Sequence, residues 1–202
     1  MKVLVGCEFS GTVRQAFRER GHDAYSCDIL PAEDESKYHI TCDVRTILHE
    51  GWDMGIFFPP CTHLCSSGAR WFKDKKEVQQ DALDFVSRLM IAPIPKIAIE
   101  NPVGIISTKI RKPDQIIQPY EYGHEETKTT CIWLKNLPKL QPTQIMECRN
   151  RNLTPSGQNK IGPSDTRWIE RSRTYQGIAS AMADQWSEKN VSLGSGKLEA
   201  FV

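Results

Sequence analysis

A cysteine on a double-proline turn is the most reactive feature of the sequence. Residues 58–61 read Phe-Pro-Pro-Cys, and the two prolines end the preceding apolar segment sharply because they fix the backbone and remove two amide donors. A thiol reacts as the thiolate, which nearby positive charge favours. The following loop offers His63, Arg70, Lys73, Lys75 and Lys76. Cys61 is therefore a candidate nucleophile, while a small buried cysteine with a packing role is the structural alternative.

A glutamate that follows a second apolar segment is the natural companion of this thiol. Glu100 comes directly after residues 97–99, Ile-Ala-Ile, and precedes Asn101 and Pro102. Burial at the end of such a segment would raise the pKa of a carboxyl group and let it hold a proton for donation. A nucleophile and an acid on neighbouring strands suit covalent catalysis on a heterocyclic ring. A glutamate that caps the next turn is the alternative.

Acidic residues at two earlier strand ends suggest a nucleoside ligand. Asp28 ends a short apolar segment that follows the first glycine turn, and Asp43 follows the next one. An acid in the position of Asp28 can accept hydrogen bonds from both ribose hydroxyls. The first turn contains only Gly6 and Gly11, so the Gly-x-Gly-x-x-Gly dinucleotide fingerprint is absent. An aspartate that caps a loop would fit Asp28 equally well from position alone.

Metal binding is the third chemistry to consider. Cys61, His63 and Cys65 are spaced closely enough to offer three ligands, but structural zinc normally draws on a second pair. Cys131 and Cys148 stand alone in the sequence, so no metal is predicted.

A basic segment could contact nucleic acid. Residues 141–173 are rich in Asn, Gln and Ser, and their basic residues outnumber the acidic ones. The basic residues are Arg149, Arg151, Lys160, Arg167, Arg171 and Arg173. Such a segment could follow a phosphate backbone, or it could be a solvated irregular loop.

The elements that position these groups follow from apolar periodicity. Residues 2–5, 24–27, 54–58 and 96–99 read as buried strands, and 131–134 as a further one. Helices are indicated by Val13, Ala16 and Phe17, which Gly21 ends, by residues 78–89, and by residues 175–187. Strand, helix and strand in alternation predict an α/β fold with a mostly parallel sheet. The carboxyl ends of its strands should then form one rim that carries Gly11, Asp28, Asp43, Cys61 and Glu100.

Composition sets the broad class of the protein. The chain has 202 residues, 39% hydrophobic and 25% charged, with a net charge of +1. We predict a single domain over residues 1–190 and a flexible tail over 191–202. No signal peptide or membrane-spanning segment is predicted. Seven cysteines, an odd and scattered set, indicate free thiols in a reducing cytoplasm rather than a disulfide framework.

Taken in order, these motifs resemble the cytosine-5 DNA methyltransferases, in particular the short forms of bacteriophages and prophages. The resemblance rests on residues 5–11, Val-Gly-Cys-Glu-Phe-Ser-Gly, then Asp28, then Pro-Pro-Cys ending at Cys61, then Glu100-Asn101. It covers roughly residues 2 to 187. It implies a Rossmann-like class I methyltransferase fold, with helices on both faces of a twisted, mostly parallel sheet.

The resemblance also implies the site. Cys61 would attack carbon 6 of cytosine, Glu100 would hold ring nitrogen 3, and Lys128 would stand in for a missing arginine that helps hold the base. S-adenosylmethionine would be the cofactor, and the residues implied to contact it are Glu8, Phe9, Ser10, Gly11, Asp28, Ile29, Asp43, Pro59 and Ala179. Double-stranded DNA with a flipped base would be the partner, with no obligate protein partner. The residues implied to contact DNA are Ser66, Arg70, Arg149, Arg151, Arg171 and Arg173.

The sequence departs from this family in ways that leave alternatives open. Cys7 and Val13 replace an aspartate and a glycine of the first turn, and Ile178 replaces an asparagine of the last motif. After Trp133 the family carries a large target-recognition domain, and here only the segment 141–173 is present. We therefore expect a short or degenerate target sequence. A free pyrimidine nucleotide or RNA as substrate, or an inactive protein that binds DNA or the cofactor, remain the competing hypotheses.

Overall fold

The computed structural model describes residues 1–65, 76–147 and 172–187. Within them, seven strands form one sheet in the order β3-β2-β1-β4-β5-β7-β6. The strands are β1 Lys2–Gly6, β2 Asp23–Asp28, β3 His39–Thr41, β4 Met54–Phe57, β5 Lys96–Pro102, β6 Gln115–Ile117 and β7 Thr130–Lys135. Strands β1 to β5 are parallel, and β7 runs antiparallel between β5 and β6.

Helices cover both faces of this sheet. They are α1 Thr12–Glu19, α2 Lys76–Met90, α3 Ile106–Lys109 and α4 Gln176–Trp186. The alternating side chains of β1 show the division, because Val3 and Val5 pack with α1 and α4 whereas Leu4 packs with α2. The predicted α/β fold, with a mostly parallel sheet between two layers of helices, is confirmed.

The two helices on the first face pack against each other as well as against the sheet. The apolar side of α1, with Val13, Ala16 and Phe17, meets Ile178, Met182 and Trp186 of α4 in a continuous core. Gly21 ends α1 with a positive φ of 79°, as a glycine after a helix does, and its amide donates to the carbonyl of Arg18. On the second face, Leu83, Val86 and Leu89 of α2 are buried.

The structure differs from the sequence prediction in a few elements. Strand β6 and the single-turn helix α3 were not predicted, since three or four residues are too few to show periodicity. Strand β5 continues past Glu100 to Pro102, because β7 pairs with its last residues. The apolar pattern over residues 78–89 places Val78 on the core side of α2, and the structure leaves this residue 44% exposed.

Parallel pairing brings the chemically interesting turns to one edge of the sheet. The turns that follow β1, β2, β3 and β4, together with the end of β5, all lie at the carboxyl edge. This is the edge at which open α/β sheets bind ligands. Among the described residues, no helix is both long and apolar enough to cross a bilayer.

Candidate active site

The cysteine turn leaves the sheet directly after β4. Pro59 is buried, Pro60 is exposed, and Cys61 is half-buried. The carbonyl of Cys61 accepts hydrogen bonds from the amides of Leu64 and Cys65, at 3.0 and 2.9 Å. Cys61 thus begins a tight turn at the carboxyl edge, where the residue is half-buried.

Glu100 lies on the adjacent strand. Strands β4 and β5 pair in parallel up to Phe57 and Ile99, so Glu100 and the Pro59-Pro60 segment leave the ladder side by side. The side-chain amide of Asn101 donates from Nδ2 to the carbonyl of Pro59 across 2.8 Å. The structure therefore brings the two predicted catalytic groups, Cys61 and Glu100, to neighbouring strand ends.

Two opposing effects act on the carboxyl group of Glu100. Burial raises its pKa, and the positive charge of Lys128 acts in the opposite direction with the smaller effect. The net result is a pKa above the ordinary value for glutamate.

Lys128 is close enough to act on Glu100 because of the segment that precedes β7. Its backbone amide donates to Oε1 of Gln118, and its Nζ lies 5.8 Å from the ring centroid of Tyr175. The predicted substitute for the missing arginine is therefore at the catalytic edge. Its contact with a base stays a prediction.

Glu8 is engaged by the start of α1. Its carboxylate accepts from the amide of Val13 at 2.7 Å and from that of Arg14 at 3.4 Å, and the Ser10 hydroxyl donates to it at 3.4 Å. Burial raises the pKa of Glu8 to about 7, although these hydrogen bonds and the Arg14 charge lower it. Glu8 thus satisfies free amides at a helix N-terminus, a role the sequence analysis missed. An acid a few residues before a helical pattern was the available signal.

The rest of the first turn is compact. Phe9 is buried, and its carbonyl accepts from the amide of Glu33 at 3.0 Å. Gly11 has a φ of 71°, and a β-carbon there would lie 2.3 Å from a guanidinium nitrogen of the buried Arg14. Gly11 therefore allows both the turn and the close approach of Arg14. Cofactor contacts by Phe9, Ser10 and Gly11 stay predictions.

Asp28, Asp43 and Cys7 share the edge above β1, β2 and β3. Burial raises the pKa of the Cys7 thiol, and the charges of Asp28 and Asp43 raise it further, so both acids act on one position. Oδ1 of Asp28 accepts from the amide of Leu30 at 3.0 Å. The next residue, Ile29, is 75% exposed although it is apolar. An acid beside an exposed apolar side chain suits a sugar and an adjoining heterocycle.

Asp43 has a strong partner of its own. Its carboxylate caps the 3-10 turn Val44–Thr46 by accepting from the amide of Arg45 at 2.9 Å, and it also pairs with the Arg45 guanidinium. Nε of Arg45 lies 3.0 Å from each carboxylate oxygen, and the pair holds the pKa of Asp43 below its usual value. Any adenine contact by Asp43 must share the carboxylate with Arg45.

Two of the predicted cofactor residues lie inside the protein. Pro59 is buried, and Ala179 is fully buried in the core between α1 and α4. Direct cofactor contact by either residue stays a prediction.

The predicted DNA contacts fall mostly in two segments of the chain, residues 66–75 and 148–171. Ser66, Arg70, Arg149, Arg151 and Arg171 lie outside the described residues. Arg173 is described, and its guanidinium pairs with Glu33, with nitrogen–oxygen distances of 2.8 and 3.2 Å. This ion pair joins the residues before α4 to the loop that follows β2.

No described group of three His, Cys, Asp or Glu side chains is arranged to hold a metal ion. The spacing Cys61-x-His63-x-Cys65 does not form such a group here, and Cys65 instead forms a β-bridge with Gly104.

Comparison with known proteins gives the fold. No protein-family model matches the chain, and no curated protein sequence matches it. The Entamoeba histolytica methyltransferase EhMeth has 16% identity and a TM-score of 0.50, over 71% of this chain and 57% of that one.

Two further solved structures match at similar levels. A protein proposed to be a DNA modification methyltransferase, encoded within an Escherichia coli prophage, has 15% identity and a TM-score of 0.49, over 71% of this chain and 51% of that one. The S. pombe Dnmt2 methyltransferase has 16% identity and a TM-score of 0.47, over 68% and 50%. The chain thus spans about half the length of these structures. At this identity the likeness to the Entamoeba enzyme shows a shared Rossmann-like fold.

Proposed function

We propose that this protein methylates cytosine at carbon 5 in DNA, with S-adenosylmethionine as the methyl donor and Cys61 as the nucleophile. The observation that carries the proposal is that Cys61, shortly after β4, and Glu100, near the carboxyl end of the adjacent parallel strand β5, share one edge of the sheet. The raised pKa of Glu100 and the half-buried cysteine turn support an acid and a nucleophile at that edge. The three structural neighbours, all described as methyltransferases, agree with methyl transfer as the reaction class.

The residues at the other half of the edge fit the cofactor. Asp28 would accept the ribose hydroxyls, and the exposed Ile29 would cover the adenine ring. The left-handed conformation of Gly11 lets the backbone after β1 turn tightly at this edge, with the Arg14 guanidinium packed against it. Glu8 contributes by fixing that turn to α1.

The chemistry uses Cys61 and Glu100 in sequence. The Cys61 thiolate attacks carbon 6, and the Glu100 carboxyl group gives its proton to ring nitrogen 3, so carbon 5 becomes nucleophilic. S-adenosylmethionine supplies the methyl group for carbon 5. A base then removes the carbon 5 proton, the carbon 6–sulfur bond breaks to release the Cys61 thiolate, and ring nitrogen 3 returns its proton to Glu100. Lys128 would help hold the base and would limit how far the pKa of Glu100 rises.

The position of the thiol at a sheet edge limits which bases it can attack. A stacked base would be inaccessible to a thiol on a turn at a sheet edge, so the target cytosine must leave the duplex. The short segment 141–173 offers little surface for reading a long sequence. We therefore expect a short or degenerate DNA target.

Nucleoside mass spectrometry tests the proposal directly. Duplex DNA, RNA and dCMP are each incubated with the protein and S-adenosylmethionine, and digested products are searched for 5-methylcytosine. We expect the product from DNA and its loss in Cys61→Ser. If only RNA or only dCMP gives product, that molecule and not DNA is the substrate. No product from any of the three would refute the proposal.

A further inference from the structure

We propose that Asn101 and Gly104 are positioning residues that clamp the Cys61 turn onto the strand that carries Glu100. The inference rests on the proposed function and adds to it two residues that set the geometry of the catalytic pair. The clamp has two attachment points, one on each side of Cys61 along the chain.

The first attachment point exists because the turn lacks backbone donors. Pro59 and Pro60 have no amide hydrogen, so after Phe57 the segment cannot donate to β5 as a strand would. A buried carbonyl in this position still needs a donor. Asn101, only 1% exposed, supplies it through the 2.8 Å bond from Nδ2 to the Pro59 carbonyl. A side chain thus continues the β4–β5 connection where the backbone cannot.

The second attachment point lies just after the cysteine. The carbonyl of Leu64 accepts from the amide of Ile105 at 2.9 Å, and Cys65 forms an antiparallel bridge with Gly104. A β-carbon on Gly104 would lie 2.0 Å from the Leu64 oxygen, a separation that no side chain can occupy. Glycine is therefore required for the two backbone segments to meet.

These two attachments fix the spacing of the catalytic groups. Asn101 is the residue next to Glu100, and Pro59 and Leu64 flank Cys61 closely in sequence. The thiol and the carboxyl group are thereby connected by a few residues and short hydrogen bonds on the same pair of segments. Displacements of about 1 Å at reacting groups can reduce rates by about 10²-fold. The clamp should therefore affect the chemical step and leave ligand affinity largely unchanged.

The test compares Gly104→Ala and Asn101→Leu with a matched control. Asn136 also donates from Nδ2 to a proline carbonyl, that of Pro95 at 2.9 Å, but it is exposed and lies at the amino end of β5. Asn136→Asp removes that donor and keeps a residue that tolerates its positive φ of 53°. Steady-state methylation, affinity for S-adenosylmethionine and melting temperature are measured for each variant.

We expect kcat to fall about 10²-fold in Gly104→Ala and Asn101→Leu. The KM for DNA and the affinity for the cofactor should change by less than about threefold, and Asn136→Asp should retain its kcat. If Asn101→Leu does not fold, the smaller Asn101→Ser takes its place. Unchanged kcat in the clamp variants would overturn the inference. Loss of kcat with an equal loss of cofactor affinity would also overturn it, since that pattern indicates general disruption.

A second readout separates this inference from the proposed function. Should the unaltered protein methylate none of the substrates, the proposed function fails, and the clamp is then read from the alkylation rate of Cys61 by iodoacetamide. We expect that rate to change severalfold in the clamp variants, while the rate at the half-buried Cys42 stays constant. Equal rates at Cys61 in all variants would overturn the clamp.

Discussion

The two halves of the carboxyl edge are held in place in different ways. Above β1 to β3, each acidic group is fixed by its own neighbourhood in the chain. Glu8 binds the amides of Val13 and Arg14, Asp28 binds that of Leu30, and Asp43 pairs with Arg45. All of these contacts span six residues or fewer. The acidic groups of the proposed cofactor half are therefore oriented by local turns once the strands are in place.

Above β4 and β5 the contacts are long-range. Asn101 reaches Pro59 across 42 residues of sequence, and Ile105 reaches Leu64 across a similar distance. The catalytic half exists only when the two strands are paired, so damage to the packing should affect chemistry before it affects cofactor binding. This difference predicts separable phenotypes for the two halves.

The largest effect should come from the nucleophile. We expect Cys61→Ser to reduce methylation by at least about 10³-fold, because the hydroxyl is a far weaker nucleophile than a thiolate. Cofactor affinity, measured by calorimetry, should not change. Cys42→Ser, at another half-buried thiol of the same edge, is the control and should remain active. Activity retained in Cys61→Ser would show that the part of the edge above β4 and β5 is not the catalytic site.

Glu100→Gln should reduce kcat by about 10²-fold or more, since the amide keeps the shape and cannot give up a proton in the same way. The raised pKa of Glu100 also predicts the form of the pH profile. The proton-holding form is lost as pH rises through that pKa, so kcat should fall on the alkaline side. If the kcat profile of Glu100→Gln falls at the same alkaline pH, the fall belongs to a group other than Glu100.

In the cofactor half, Asp28→Asn should weaken S-adenosylmethionine binding by about 10-fold or more, because one acceptor for the ribose hydroxyls is replaced by an amide. The amide oxygen can still accept from Leu30, so the fold should be kept. Asp53→Asn, at the opposite edge before β4, is the control. Titration calorimetry measures the affinity of each variant for S-adenosylmethionine. If Asp28→Asn binds as tightly as Asp53→Asn, the cofactor does not bind at Asp28.

The smallest effect concerns stability. The pKa of Glu8 is raised to about 7 in the folded protein, so its contribution to stability is present at pH 4 and is lost as pH rises through about 7. We expect the melting temperature of Glu8→Gln to decline less between pH 5 and pH 8.5, by several degrees. Scanning calorimetry at both values checks this. The raised pKa of Glu100 adds a pH dependence of the same sign to the melting temperature of both proteins. Equal declines of the melting temperature in parent and variant would show that Glu8 is not desolvated.

Much of the fold could be predicted from the sequence because its strands are short, apolar and followed by turn residues. The runs before Gly6, Asp28, Pro59 and Glu100 each became a parallel strand ending at the same edge. Strand β6 was missed because its three residues, Gln115–Ile117, are too few for an apolar run or an alternation to mark a strand.

The candidate site was less predictable from the sequence than the fold. Residue types at strand ends indicated Cys61 and Glu100, and the structure brings both to the carboxyl edge, while their catalytic roles stay predictions. Side-chain contacts escaped prediction, since the Asn101–Pro59 bond depends on tertiary pairing and the Asp43–Arg45 pair depends on rotamers. Glu8 shows the same limit, because the hydrogen bond from the start of α1 to its carboxylate was not predicted, and its cofactor contact stays a prediction.

Covalent trapping tests the central claim most directly. Duplex DNA that contains 5-fluorocytosine cannot lose its carbon 5 substituent as a proton, so a methylated adduct should stay attached to the protein. We expect a complex that survives denaturation, requires S-adenosylmethionine, maps to Cys61 by peptide mass spectrometry, and is absent in Cys61→Ser. Folded protein that binds the cofactor and this DNA yet forms no adduct, or forms one at another residue, would contradict the assignment of Cys61 as the nucleophile.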